Sequence, residues 1–226
     1  MLEENRILPE QEKMIEYIDF EYDEKELLSD FEMVKRDPDR WLKIDPNEDE
    51  SRTFYGQDMH GDPFPPYVKE LVDRIESLGI RVGYKVNFQE SFYGETERFS
   101  RIHVINPSFF KVGRIRLCNI VLPAVGDAYT IAYRPFTVEQ KGDLINKNTI
   151  LQLPDRHYGD MLETHRVVAK PSKPILLARW IPHNIEVMDP HRVTLHFNPF
   201  DLQQNYGSIK RMFQMGGHRV WYEPLA

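Results

Sequence analysis

Thiol chemistry is almost absent from this chain, which carries one cysteine in 226 residues. A single cysteine excludes an intrachain disulfide and any paired Cys-x-x-Cys zinc site. Cys118 lies in the apolar run Ile115 to Leu122, so it reads as a small buried hydrophobe in a reducing compartment. The 12 glycines are scattered. Neither a Gly-x-x-x-x-Gly-Lys phosphate loop nor a Gly-x-Ser-x-Gly elbow occurs, which removes the commonest nucleotide and acyl-transfer chemistries. No apolar run approaches the roughly 18 residues that span a bilayer. The start, Met1-Leu-Glu-Glu, is acidic where a secretory leader would be basic. A soluble, unexported protein with no membrane partner is expected. There is no internal repeat and no low-complexity tract.

What is present is a core. At 41% hydrophobic and 12% aromatic, the chain suffices for one full domain. Its net charge of −7 is uneven: residues 1–50 hold 18 acids and 7 bases, whereas the remainder holds 18 acids and 22 bases. The expected organisation is therefore an acidic, partly helical arm over 1–58, a domain over 59–200 and a C-terminal extension over 201–226. Charge blocks of this kind usually stay solvated. Ile7, Leu8, Met14, Ile15, Tyr17, Ile18, Phe20, Leu27, Leu28 and Phe31 nevertheless interleave with the acids, which gives the arm enough apolar surface to dock on a protein partner.

After Pro65-Pro66, apolar residues recur at helical spacing from Tyr67 to Leu78 and stop at Gly79, the usual punctuation of a helix. From Ile80 the pattern shortens to β-branched and aromatic runs at 81–88, 98–105, 113–122, 128–136, 175–181 and 191–197, separated by turn residues. No βαβ alternation occurs, so the sheet should be mainly antiparallel, closed or sandwiched. Tyr206, Ile209, Met212, Phe213 and Met215 mark a last helix before Gly216-Gly217.

The most informative stretch is Ile181-Pro-His183 followed by Arg192-Val-Thr-Leu-His-Phe197. A two-residue period sets Arg192, Thr194 and His196 on one strand face and Val193, Leu195 and Phe197 on the other. Facing inward, such a polar row can grip an anion, with the guanidinium forked onto a carboxylate and the hydroxyl adding a donor. Facing outward, it is an ordinary solvated face. His183, at the end of a strand and nine residues before Arg192, favours the inward reading.

Taken together, these pieces resemble the iron and 2-oxoglutarate dependent oxygenase superfamily, whose double-stranded β-helix ends in a distal His followed by Arg-x-Ser/Thr. The helix after Pro65-Pro66, the strand Tyr84 to Phe92, His103 within Arg101-Ile-His-Val-Ile105, and Ala128-Tyr-Thr-Ile-Ala-Tyr133 follow the same order. Arg116-Leu-Cys-Asn-Ile-Val-Leu122 is similar to the "alanine-leucine-asparagine-isoleucine-proline-leucine" strand of small phage and bacterial members. The resemblance covers about residues 60–200. It implies a mainly β, cupin-like jelly-roll barrel with flanking helices. It also implies His103 and His183 as Fe(II) ligands, with Arg192 and Thr194 on the distal carboxylate of 2-oxoglutarate.

One departure is decisive for chemistry. The family has His-x-Asp or His-x-Glu, and here the sequence reads His103-Val-Ile105. A facial triad needs two imidazoles and one carboxylate; isoleucine has no lone pair, and it fills the space that halogenating members open with Ala or Gly. Asn106, Glu95 and Glu97 stand nearby as substitutes, with His157 and His165 further on, and the lone His60-Gly-Asp62 reads as a turn. Two expectations follow. The first is an oxygenase-like module that has lost iron catalysis and serves in binding or assembly, in the cytoplasm or as a structural part of a phage virion, through its arm and extension. The second is an active Fe(II)/2-oxoglutarate dioxygenase with an atypical site. The cluster Arg98, Arg101, Lys111, Arg114 and Arg116 is too weakly basic to indicate a nucleic-acid partner.

Overall fold

The computed structural model describes residues 15–37, 64–82, 86–92, 118–133, 163–178, 181–199 and 204–223, and the backbone alone of strands within 41–43, 51–55, 103–105, 143–145 and 150–152. In chain order the elements are β1 (Ile15–Ile18), α1 (Glu24–Lys35), β2 (Trp41–Lys43), β3 (Ser51–Tyr55), α2 (Pro66–Ser77), β4 (Val86–Phe92), β5 (His103–Ile105), β6 (Cys118–Val125), β7 (Ala128–Tyr133), β8 (Asp143–Ile145), β9 (Ile150–Gln152), β10 (Glu163–Ala169), β11 (Ile175–Ala178), β12 (His183–Val187), β13 (His191–Phe197), α3 (Tyr206–Met215) and β14 (Val220–Trp221).

The strands form two antiparallel sheets. The major one runs β14-β1-β11-β6-β13-β4-β3-β2 and the minor one β10-β7-β12-β5-β9-β8. This is the expected mainly β jelly roll. The hydrogen bonding is that of two facing sheets, with no ladder among the described residues closing them into one barrel. Strands β6 and β7 are consecutive in sequence yet lie in different sheets, joined by a tight corner at Gly126-Asp127. Gly126 has φ +78°, and a Cβ there would stand 2.2 Å from the carbonyl oxygen of His191, so only glycine fits this corner. The companion corner between β12 and β13 stacks on it, Asp127 accepting from the amide of Met188 at 3.0 Å.

The three helices cover the outer face of the major sheet. Helix α1 buries Leu27, Asp30, Phe31 and Val34 at spacings of three and four, and Asp23 caps its N-terminus. Helix α2 has no cap of its own. Asp30 of α1 supplies it, accepting from the Val68 amide at 2.7 Å. Burial raises the Asp30 carboxyl above its usual range, and the backbone donors at Val68 and Tyr67 oppose this. Helix α3 opens with an Asn205/Ser208 capping box and is fastened to β1 by Lys210 and Tyr206, both bonded to the buried carboxylate of Glu16.

Two expectations change here. Residues 15–37 were assigned to an arm, yet β1 is a strand of the major sheet paired with β11 and β14, and α1 packs on β6 and α2. Likewise, α3 and β14 belong to the same unit. The apolar residues among the acids dock on the chain's own sheet. His183, expected to end a strand, instead opens β12.

Candidate functional site

Strand β13 is buried on both faces. Val193, Leu195 and Phe197 meet the helix-covered core, while Arg192, Thr194 and His196 point between the sheets, at 2%, 0% and 7% exposure. The register with β4 pairs Arg192 with Ser91, Thr194 with Gln89 and His196 with Asn87. Pairs opposed in an antiparallel ladder share a face, so the inner face carries a two-strand polar patch. Thr194 Oγ1 and His196 Nε2 lie 2.8 Å apart, and Asn198 donates to Asn87 Oδ1 at 2.9 Å. On the neighbouring strand β6, Asn119 has its Oδ1 buried with no hydrogen-bond partner. Its register opposite Leu177 puts it on the same inner face. The sequence places His196 on this polar row without giving it a role, and it leaves out Asn119, for which an Asn inside the apolar run Cys118 to Leu122 was the available signal.

His183 belongs to the facing sheet. It is 6% exposed, and its Nδ1–H donates to the carbonyl oxygen of Ile181 at 2.7 Å. That bond fixes the tautomer and makes Nε2 the acceptor nitrogen, the arrangement seen in metal-ligating histidines held by a backbone carbonyl. In the ladders, His183 stands opposite Ala132 of β7 and opposite His103 of β5. The two histidines singled out in the sequence therefore occupy directly opposed positions of adjacent strands, and Ile105 follows two residues after His103 on β5. The side chains of His103 and Ile105 lie outside the described residues, as do Glu95, Glu97, Asn106, His60, Asp62, His157 and the basic cluster 98–116.

Chain geometry fixes the depth of each group. The β12–β13 corner spans 188–190, with Arg192 two residues beyond it, and His183 lies seven residues before Pro190. At about 3.3 Å per residue, Arg192 and His196 lie roughly 13 Å apart along β13, with Arg192 nearer the corner. The candidate site is thus the inner face of β13 and β4, with the Arg192 guanidinium on the corner side as its floor and His183 on the facing sheet. A guanidinium stays charged when buried, so the floor suits a carboxylate.

The facial triad is a different matter. The position that the resemblance assigns to its acid is Ile105, and among the described residues no three His, Cys, Asp or Glu side chains gather around a metal position.

His165, a candidate substitute ligand in the sequence, is placed elsewhere by the fold. It is 8% exposed, and its Nε2 accepts the Ile15 amide of β1 at 3.1 Å. Nearby, two hydrogen bonds from Arg166 hold the Glu163 carboxyl below the usual range.

No protein-family model matches the chain, and no curated protein matches it in sequence. Solved structures do match in shape. The non-heme alpha ketoglutarate dependent epimerase SnoN from nogalamycin biosynthesis superposes with a TM-score of 0.50 at 8% identity, over 81% of this chain and 77% of its own. HygX from Streptomyces hygroscopicus, solved with nickel, 2-oxoglutarate and hygromycin B, gives a TM-score of 0.48 at 13% identity over 83% of each chain. At these identities the likeness is one of fold, and the argument for it rests on the first: a cupin-like jelly roll of the type found in 2-oxoglutarate oxygenases. No described helix is long and apolar enough to cross a membrane.

Proposed function

We propose that this protein is an oxygenase-type jelly roll that binds a small oxo acid such as 2-oxoglutarate through Arg192 and Thr194, and that it works as a binding module without iron turnover. The observation that carries this reading is the buried inner row of β13, where Arg192 and Thr194 are 2% and 0% exposed on a face shared with Ser91 and Gln89. A fixed cation with a hydroxyl two residues along supplies the charge and directional donors that a carboxylate needs. The isoleucine at 105 argues against iron catalysis, since it removes a ligand and a negative charge together.

A second reading, an active Fe(II)/2-oxoglutarate dioxygenase with an atypical site, is favoured by the Nδ1–H bond of His183 to Ile181. In that reading His103 and His183 would be the iron ligands. Calorimetry with 2-oxoglutarate, without metal and then with Fe(II) under anaerobic conditions, separates the two. The proposal expects metal-independent binding that Arg192→Met weakens by about 2–3 kcal/mol, the scale of charge-assisted hydrogen bonds, with no succinate formed. Stoichiometric iron with succinate production abolished by His183→Ala would establish the second reading. Absence of any 2-oxoglutarate binding would sink both. Under the first reading, Ile105→Asp should raise metal affinity at least tenfold by restoring an anionic ligand; equilibrium dialysis with Fe(II) checks this.

A further inference from the structure

We propose that His165 is a proton-sensitive latch holding the N-terminal strand on the jelly roll. β1 occupies the edge region of the major sheet, held by its ladder with β11 and a two-residue pairing with β14. The amide of its first residue, Ile15, is taken up by a side chain from the opposite sheet, donating to His165 Nε2 at 3.1 Å.

The bonding around that ring admits one tautomer. Nε2 receives a backbone N–H, so it must carry the lone pair and Nδ1 the proton. Nδ1 faces Thr164 Oγ1 at 3.1 Å, and that hydroxyl donates its own hydrogen to the carbonyl oxygen of Ala132, also at 3.1 Å. The chain of donors therefore runs Ile15 N–H to His165, His165 to Thr164, and Thr164 to β7. A second proton on the imidazole has no place to go except Nε2, where it would point at the Ile15 N–H. Two donors cannot share that contact, so protonation must break it. Among the described residues, the groups that face the ring come from several elements. Tyr222 from the C-terminal tail meets the ring edge-on at 5.6 Å, and Tyr17 of β1 is bonded to the backbone of Val168. From β7, Tyr133 donates to Asn184. Glu163, on the same strand and electrostatically coupled to His165, is bridged by Arg166, which is itself also paired with Glu186.

Acidification then loosens β1 before the rest of the major sheet, baring the edge of β11. Hydrogen exchange of the full chain at pH 7.5 and 5.5, corrected for intrinsic rates, reads this out on the peptide spanning 15–18, with β13 as internal reference. The expected result is a loss of protection of tenfold or more in β1 at the lower pH, while 191–197 stays protected. His165→Gln, whose amide oxygen can accept from Ile15 without titrating, should keep β1 equally protected at both pH values. Protection of β1 that does not change with pH in the wild type, or that falls equally in His165→Gln, would overturn the latch. If His165→Gln were poorly folded, following the Ile15 amide and His165 ring resonances of the wild type through the same pH range decides the matter: the two must change together.

Discussion

The outer and inner faces of the major sheet are both buried and both contain polar groups, but those groups serve different ends. On the helix-covered side each buried carboxylate fastens a helix: Glu16 takes Lys210 and Tyr206 of α3, Glu90 takes Lys35 of α1, and Asp30 joins α1 to α2. On the inner side, Arg192, Thr194, His196, Asn87 and Asn198 cluster along two strands between the sheets, with Thr194 against His196 and Asn198 bonded to Asn87. Burial of a polar residue is thus not itself a sign of function. A buried polar row becomes a binding candidate when, as here, it lies between the sheets beside a buried oxygen, Asn119 Oδ1, that has no hydrogen-bond partner.

Breaking one face at a time tests this division. Phe197→Ala, on the apolar face of β13, should produce the largest effect in the molecule. Removing a fully buried aromatic ring from a packed core costs about 3–5 kcal/mol, which for a chain this long lowers Tm by roughly 10 °C or more. The remaining folded protein should bind 2-oxoglutarate normally. Arg192→Met, five residues away on the other face, should do the reverse: binding lost on the scale given above, with a smaller change in Tm, because methionine keeps much of the length and apolar stem of the arginine side chain. Calorimetry and thermal melts on both variants check the contrast. If both variants lost stability alike and binding alike, the two faces would not be functionally separate.

A middle-sized effect sharpens the outer half of the comparison. Lys210→Met leaves Glu16 buried with Tyr206 as its remaining side-chain partner, which should cost about 1–3 kcal/mol. The loss should appear in urea melts, with hydrogen exchange rising first in α3.

The alternation of Arg192 to Phe197 was readable because a strand repeats every two residues and this one carries opposite chemistry on its two sides. The helix after Pro65-Pro66 was equally plain from its punctuation. β1 was not, since Ile15-Glu-Tyr-Ile18 is too short to show a period and its partner Ile175–Ala178 lies more than 150 residues away. β10 was hidden for a similar reason: Glu163-Thr-His-Arg is polar, and only the inward set His165, Val167 and Ala169 reveals the strand once the sheet is known. For the site, the sequence offered Arg192, Thr194 and two histidines; that His103 and His183 stand opposite one another is a matter of register, which no local pattern encodes.

The smallest expected effect concerns Asp30 and asks whether an outer-face carboxylate is needed for its charge or only for its oxygen. Its folded-state carboxyl is raised by burial, so the native protein holds that proton more tightly than the unfolded chain does. More protons bound in the native state means that this residue's contribution to stability falls as pH rises, from below the ordinary carboxylate range up through the raised folded value. Asp30→Asn keeps an oxygen that can accept from Val68 but does not titrate. The variant should therefore gain stability relative to wild type as pH increases from about 3 to 7, by no more than the ~1 kcal/mol typical of a single cap, and denaturant melts across that range would register the crossover. A relative change of the opposite sign would mean that the ionised form is the one the α2 N-terminus prefers, and that helix-dipole attraction outweighs desolvation at this junction.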